Sequence, residues 1–369
     1  MVTNETTKKK GRRRLSVLVA LILSMCLLLT GCSDQQVEDT LGLLFDIAIE
    51  ILSPDETTEG TDGSVNEDIP LAVEGEMQVH FIDVGQADAT LFIQGDQVML
   101  FDVATAGRGD DVVKYLQDLN IDYIDVLVLT HPHDDHMGGA AEVLNNIEVG
   151  KVYGPDIFDI MEFDENGKKL DPPNWYEDMV AAIDAIDDKA NKGVPEDEQT
   201  SIWHLPRNED GEFEKFNIGE AVVQFYAPFE DYYSDKNDYS ICAKVSFGTV
   251  DIMLTGDATT AVEEELLKAN YNLDVEIFQA GHHGSDTSNS KEFLEAMSPE
   301  CIVISCGMAN KYNHPVESVI NLFKKMDIPV YRTDESGNII MTTDGTEYIF
   351  SVEPGTYTSG EEYRASKGK

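Results

Sequence analysis

Four side chains able to bind a metal ion, His131, His133, Asp135 and His136, fall within six residues in THPHDDHMGG (130–139), directly after the apolar run IDVLVL (124–129). A strand points successive side chains to opposite faces, so a strand alone cannot gather all four; a loop leaving the strand end can curl them around one centre. Imidazoles mixed with a carboxylate suit zinc, manganese or iron, and four donors on one short segment are more than one tetrahedral ion usually takes from a single loop. A His-rich turn can also be plain polar surface. Two later strand ends favour the metal reading: Asp257 in LTGDA (254–258) and the pair His282 and His283 in GHHGS (281–285), each again after an apolar run.

With those residues in view, the chain resembles the metallo-β-lactamase superfamily, whose signature reads H-x-H-x-D-H after a strand, then a bridging Asp and a late His. FIDVGQADAT (81–90), NDYSICAKVSFG (237–248) leading into DIMLTGDA (251–258), GHHGS, and VISCGMANKYNHP (303–315) are similar to the hydrolase domain of ComEC-type DNA-uptake proteins, over roughly residues 77 to 350. The resemblance implies an α/β fold, a four-layer αββα sandwich with metals at one edge between the sheets. It also implies two divalent cations, zinc or manganese. His131 and His133 would hold the first, Asp135, His136 and His282 the second, and Asp257 would bridge them. Cations about 3.5 to 4 Å apart would lower the pKa of a shared water, supply hydroxide at neutral pH and stabilise charge on a phosphoryl or acyl oxygen.

Asp135 is then also a catalytic candidate, orienting that hydroxide, and His283, Ser285 and His314 are candidate donors to a substrate oxygen, with Lys311 nearby. Asp83, Gln86 and Asp88 in DVGQAD are expected near the metals, the two carboxylates as acceptors for ligand histidines; Ala87 stands where the family usually has Gly. Many members supply one more His between the first motif and the bridging Asp. The only His there is His204, in IWHLP, a poor match in context, and ComEC-type domains commonly omit this ligand. His80 reads as a packed or surface histidine of a strand.

The N-terminus reads as a targeting segment: Lys8–Lys10 and Arg12–Arg14, an apolar stretch Leu15–Leu29, then Leu29-Thr30-Gly31-Cys32. This pattern resembles a bacterial lipoprotein signal, with Cys32 the lipidated first residue after cleavage. The alternative is an uncleaved anchor, but about twenty apolar residues are usual for a span and this run is shorter. Either reading places the chain outside the cytoplasmic membrane, lipid-anchored through Cys32 in the first. Of the other cysteines, Cys242, Cys301 and Cys306 sit in apolar runs and read as buried thiols, not a disulfide framework.

Boundaries follow from composition. Residues 1–31 are the signal, 32–76 an acidic spacer, 77–352 the hydrolase domain with an insertion at about 155–216, and 353–369 a polar tail. LGLLFDIAIEIL (41–52) within the spacer could form a short amphipathic helix. In the domain, strand-like runs fall at 78–83, 89–94, 97–102 and 124–129, then near 220–227, 241–247, 250–255, 275–279 and 301–305. Helices are expected at 110–119, 176–191 and near 260–269, 290–297 and 316–325. Trp175, Tyr176 and Trp203 in the insertion could wall a cleft, or pack the insertion onto the body.

The reading that results is a surface-anchored, metal-dependent hydrolase, a phosphodiesterase or nuclease acting on a phosphoester substrate, with DNA as the first candidate. Charge weighs against DNA: 70 acidic residues face 26 basic ones, a net charge of −44, and no stripe of Lys or Arg is visible, whereas non-specific DNA binding rests on cationic side chains. A small ester, a lactone or a cell-wall phosphodiester needs no such track. A third class is a metal-retaining surface protein without catalysis.

Overall fold

The computed structural model describes residues 75–163 and 167–367; the expected signal, Cys32 and the spacer up to residue 74 lie outside the described residues. Among those described, fifteen strands form two sheets. In the first half run β1 (Met77–Phe81), β2 (Thr90–Gln94), β3 (Gln97–Phe101), β4 (Tyr123–Val128), β5 (Glu148–Tyr153) and β6 (Trp203–His204); then follow β7 (Lys215–Ile218), β8 (Ala221–Phe225), β9 (Ala243–Phe247), β10 (Val250–Leu254), β11 (Ile277–Gln279), β12 (Cys301–Ile304), β13 (Val330–Arg332), β14 (Ile339–Thr343) and β15 (Tyr348–Phe350). One sheet is ordered β15-β14-β1-β2-β3-β4-β5-β6 and the other β13-β12-β11-β10-β9-β8-β7.

Side-chain alternation makes the layers. Along β2 and β3, Leu91, Ile93, Val98 and Leu100 face outward to helices, while Phe92, Met99 and Phe101 face the opposite sheet. Along β10 to β12, Ile252, Leu254, Ile277, Cys301 and Val303 face inward, and Met253, Phe278, Ile302 and Ile304 outward. The period of two lets each strand serve two cores at once. Each fully buried large apolar side chain contributes roughly 1.5–3 kcal/mol relative to exposure.

The first sheet's outer core is closed by α1 (Gly109–Asp118), α2 (Ala140–Asn146) and α3 (Asn174–Ala190), the second's by α4 (Thr260–Ala269), α5 (Lys291–Met297) and α6 (Glu317–Lys325). Local signals set these helices. The Thr259 hydroxyl accepts from Ala261 N–H to start α4, and the Ser290 hydroxyl accepts from Phe293 N–H to start α5. Three cores separated by two sheets constitute the αββα sandwich.

The insertion is part of the body. Its strand β6 extends the first sheet beside β5, and α3 turns Tyr176, Met179, Ala182 and Ile183 into the first outer core. Trp175 and Trp203 pack against that same cluster, and Trp203 covers Gly154, where a Cβ would stand 2.1 Å from its ring. The three aromatic residues therefore pack the insertion instead of walling a cleft, because the apolar stripe of α3 needs cover. The polar segment after residue 352 is also bonded to the body. The buried Arg332 donates to the carbonyls of Thr356 and Thr358, and Gly360 N–H, at the start of α7 (Gly360–Lys367), donates to Pro315 O. Among the described residues no helix is long and apolar enough to cross a membrane.

Candidate metal centre

Loops after β1, β4, β10, β11 and β12 converge at one edge of the sandwich. Thr130 follows β4, His131 and His133 come next, and the short turn Asp134–Met137 swings Asp135 and His136 back toward them. Gly138 and Gly139 let this loop seat closely: a Cβ on Gly139 would lie 2.2 Å from Val103 O, and one on Gly138 2.3 Å from Asp134 O. From β10 the chain passes through Gly256, at φ +50, to Asp257. From β11 it enters the turn Gly281–Gly284, where His282 and His283 both adopt positive φ (52° and 55°), an uncommon conformation for residues with a Cβ and typical of functional turns.

Asp257 is the hub. It is 1% exposed. Its Oδ1 stands 3.1 Å from His136 Nε2 and 3.8 Å from His283 Nε2, while its Oδ2 stands 3.3 Å from His282 Nε2 and 3.7 Å from His131 Nε2. His133 Nδ1 is 3.0 Å from His131 Nε2, and Asp135 Oδ2 is 3.5 Å from His283 Nε2. Three overlapping donor groups result: His131, His133 and Asp257; Asp135, His136 and His283; and Asp88, His136 and Asp257.

The opposite ring nitrogens are held by oxygen acceptors, as metal-binding imidazoles require. His136 Nδ1 is 2.7 Å from Asp102 Oδ2; Asp102 in turn accepts from the backbone and hydroxyl of Thr130, both at 2.8 Å. His131 Nδ1 meets the Thr130 hydroxyl at 3.1 Å, His283 Nδ1 the Ser305 carbonyl at 3.0 Å, and His282 Nδ1 the Thr287 hydroxyl at 2.8 Å. Each of these rings is thereby set to present Nε2 to the Asp257 side.

Electrostatics point to cations. Burial by itself would raise Asp257, but the imidazoles of His136 and His283 override it and hold the carboxyl well below its usual range. Burial would likewise lower His136, yet the Asp257 and Asp102 carboxylates hold its pKa well above 6.5. For His283 burial is overcome by Asp88 and Asp257. His131, His133 and His282 stay low, chiefly through burial. Carboxylates this deeply buried must be compensated by positive charge. Asp257 Oδ1, His136 Nε2, His283 Nε2 and Asp88 Oδ1 are moreover buried without a well-formed hydrogen bond. An orphaned set of N and O donors around buried anions fits divalent ions of the zinc or manganese type.

Several expectations need correction. His283, expected as a donor to substrate, is buried and grouped with Asp135 and His136, and with Asp135 it lines the cleft. His282, expected in that group, turns to the other oxygen of Asp257, because consecutive positive φ values splay the two rings 68° apart. Ser285, the other proposed donor, is 4% exposed and its hydroxyl is engaged with Thr287. Asp83 is exposed and accepts from Gly85 N–H, away from the histidines, whereas Asp88 Oδ1 lies 3.3 Å from His283 Nδ1. His204 sits on edge strand β6 beside Tyr153, outside the cluster. His80 is buried and bonded to the Tyr115 hydroxyl, a packed histidine.

His314 lines the cleft, with Gln86 Nε2 3.4 Å from its Nδ1, and burial lowers its pKa to about 4. The cleft has a volume of about 290 Å³, and His133, Asp135, Asp257, His282, Tyr312 and His314 are among its walls. Sequence reasoning missed Asp102, Thr130 and Thr287. The signal for Asp102 was a carboxylate closing the apolar run of β3, but its partner is 34 residues away.

The family model described as the metallo-beta-lactamase superfamily matches residues 82–307. ComE operon protein 3 of Bacillus subtilis (strain 168) is 26% identical over 314 residues, covering 78% of this chain and 36% of that protein. Competence protein ComA of Neisseria gonorrhoeae is 31% identical over 266 residues, with 72% and 32% covered. Recombination protein 2 of Haemophilus influenzae is 27% identical over 267 residues, with 71% and 28% covered. The chain thus spans about a third of the length of these relatives.

Proposed function

The chain belongs to the metallo-beta-lactamase superfamily, and from that premise we propose that it hydrolyses phosphodiesters with two divalent cations, anchored by lipid on Cys32 outside the cytoplasmic membrane. The observation that carries the reading is Asp257, a buried carboxylate with two imidazoles at each oxygen, at the floor of an open cleft. Divalent ions at such a centre supply Lewis acidity and an activated water.

The chain's own residues do the rest. Asp102 and Thr130 fix the ring of His136, and Ser305 that of His283. Asp135, at the cleft wall, is placed to orient an attacking water. His314, neutral at pH 7 with a pKa of about 4, is placed to donate a hydrogen bond to the substrate. Two lysines favour an anionic substrate. Lys236 acts on His133 and Lys311 on Asp135 electrostatically. The Lys236 ammonium contacts the Met161 thioether and has no carboxylate partner among the described residues.

The competence relatives make nucleic acid the first natural substrate to test. The net charge of −44 favours a second reading, a small ester that needs no extended cationic surface. Purified protein with manganese or zinc is expected to turn over bis-p-nitrophenyl phosphate, and His133→Ala to reduce that turnover by about 100-fold or more, in keeping with removal of a metal ligand. Turnover of p-nitrophenyl acetate without any phosphodiester cleavage would move the assignment to the small-ester reading. For the anchor, the motif Leu-Thr-Gly-Cys is the support. The wild-type protein is expected to take up a labelled fatty acid in cells and Cys32→Ser to lose that label, and a wild-type protein that takes up no label would eliminate lipidation.

A further inference from the structure

Tyr312 is the one large apolar side chain among the described residues that wall the cleft, and it is 51% exposed. A single exposed tyrosine is ordinary on a protein surface. This one stands on a loop that is tied down from within. Asn310, itself buried, accepts through Oδ1 from the N–H groups of Tyr312 at 3.1 Å and His314 at 3.0 Å, and donates through Nδ2 to the carbonyls of Gly307 at 2.9 Å and His314 at 2.6 Å. Arg364 of α7 donates to the Asn310 carbonyl. The Tyr312 ring lies nearly parallel to that of His314, with centroids 5.6 Å apart and 25° between the planes. The ammonium of Lys311, an exposed side chain, rests 4.7 Å from the Tyr312 ring centroid.

Position and chemistry choose the ligand. Tyr312 is two residues from His314, the side chain placed to donate to the substrate, so a group resting on it would be joined closely to the scissile phosphate. The two rings form a flat step that a planar heterocycle continues, and every nucleobase has a π-face to offer. An exposed lysine is all that lies over the Tyr312 ring from the solvent side of the loop's own sequence, and a base can displace so flexible a side chain. Charge favours such a contact. With a net charge of −44 and no stripe of Lys or Arg, the chain lacks the long cationic track by which nucleic acid is usually held. Stacking on one ring does not depend on net charge, and a ring fixed beforehand loses little freedom on binding.

We infer that Tyr312 is the stacking platform of a nucleobase subsite beside the candidate metal centre. The inference rests on the phosphodiester reading above and narrows it to nucleotides and unpaired nucleic-acid ends, because a base inside a duplex already has both faces stacked.

Binding tests it apart from turnover. Full-length protein loaded with Mn²⁺ is titrated calorimetrically with adenosine 5′-monophosphate, methyl phosphate and glucose 1-phosphate. The nucleotide is expected to bind roughly 5–150-fold more tightly than methyl phosphate, the range for one base stacked on an aromatic side chain. Tyr312→Ala is expected to bring that ratio to about one and Tyr312→Trp, which restores an aromatic face, to retain it. Equal binding of nucleotide and methyl phosphate by the wild-type protein, or a ratio that survives Tyr312→Ala, overturns the inference and leaves the phosphodiester reading standing. Glucose 1-phosphate gaining as much from Tyr312 as the nucleotide does would make the subsite one for sugars and likewise overturn it. A wild-type protein that binds none of the three strikes the phosphodiester reading itself, and the subsite with it.

Discussion

Replacing Asp257 by asparagine is expected to lower phosphodiester turnover by about 10³-fold or more. The substitution keeps the shape of the side chain and removes its charge. That charge is the common neighbour of four imidazoles, at 3.1 to 3.8 Å, and would be shared by both cations. Loss of about 4 kcal/mol of electrostatic stabilisation corresponds to about three orders of magnitude in rate, and a low-dielectric site strengthens the loss. Bound metal should fall in parallel with kcat/KM, as measured by elemental analysis on the same preparation. A variant retaining two metal equivalents and activity within tenfold of wild type would remove Asp257 from the centre of the mechanism.

A comparable effect on stability is expected from Arg332→Ala. Arg332 is fully buried, and its guanidinium pairs with Asp334 through Nε–Oδ1 at 3.0 Å and Nη2–Oδ2 at 2.8 Å, while also donating to Thr356 and Thr358. Alanine would leave the buried Asp334 carboxylate without its partner and the segment before α7 without its anchor. Breaking a buried pair from one side costs about 3–5 kcal/mol, which for a domain of this size corresponds to a fall in Tm of roughly 10 °C. Calorimetry of the metal-loaded protein measures it; a loss below about 1 kcal/mol would show that the pair is dispensable. Arg332→Ala/Asp334→Ala, which removes both charges, should recover part of the loss.

Much of the body was legible because its layers write a simple code. Strands buried on both faces read as short apolar runs bounded by Gly and Asp, and helices such as α4 and α6 carry one apolar stripe, so these elements fall within a few residues of expectation. The ligand loop was legible for a different reason: so many donors close together after a strand have few other uses. What stayed hidden depends on orientation or on distant partners. His282 and His283 are adjacent and chemically identical, and only two consecutive left-handed φ values separate their roles. Asp102 and Thr130 are ordinary strand-end residues until the parallel pairing of β3 and β4 brings them together. The packing role of Trp203 depends on β6 joining β5, which a two-residue strand in a charged insertion does not announce.

The position of β14 has a further consequence. β1 pairs with β2 on one side and, from Met77↔Thr343 to Phe81↔Ile339, with β14 on the other. The first sheet therefore receives an inner strand from residues that follow the whole of the second sheet in the chain. Neither half can close its hydrogen-bond ladder alone, so the ordered body is topologically interlocked and should open as one cooperative unit. Because the donor groups around Asp257 are drawn from both sheets, ions held there would tie the two sheets together and stabilise the folded chain by mass action.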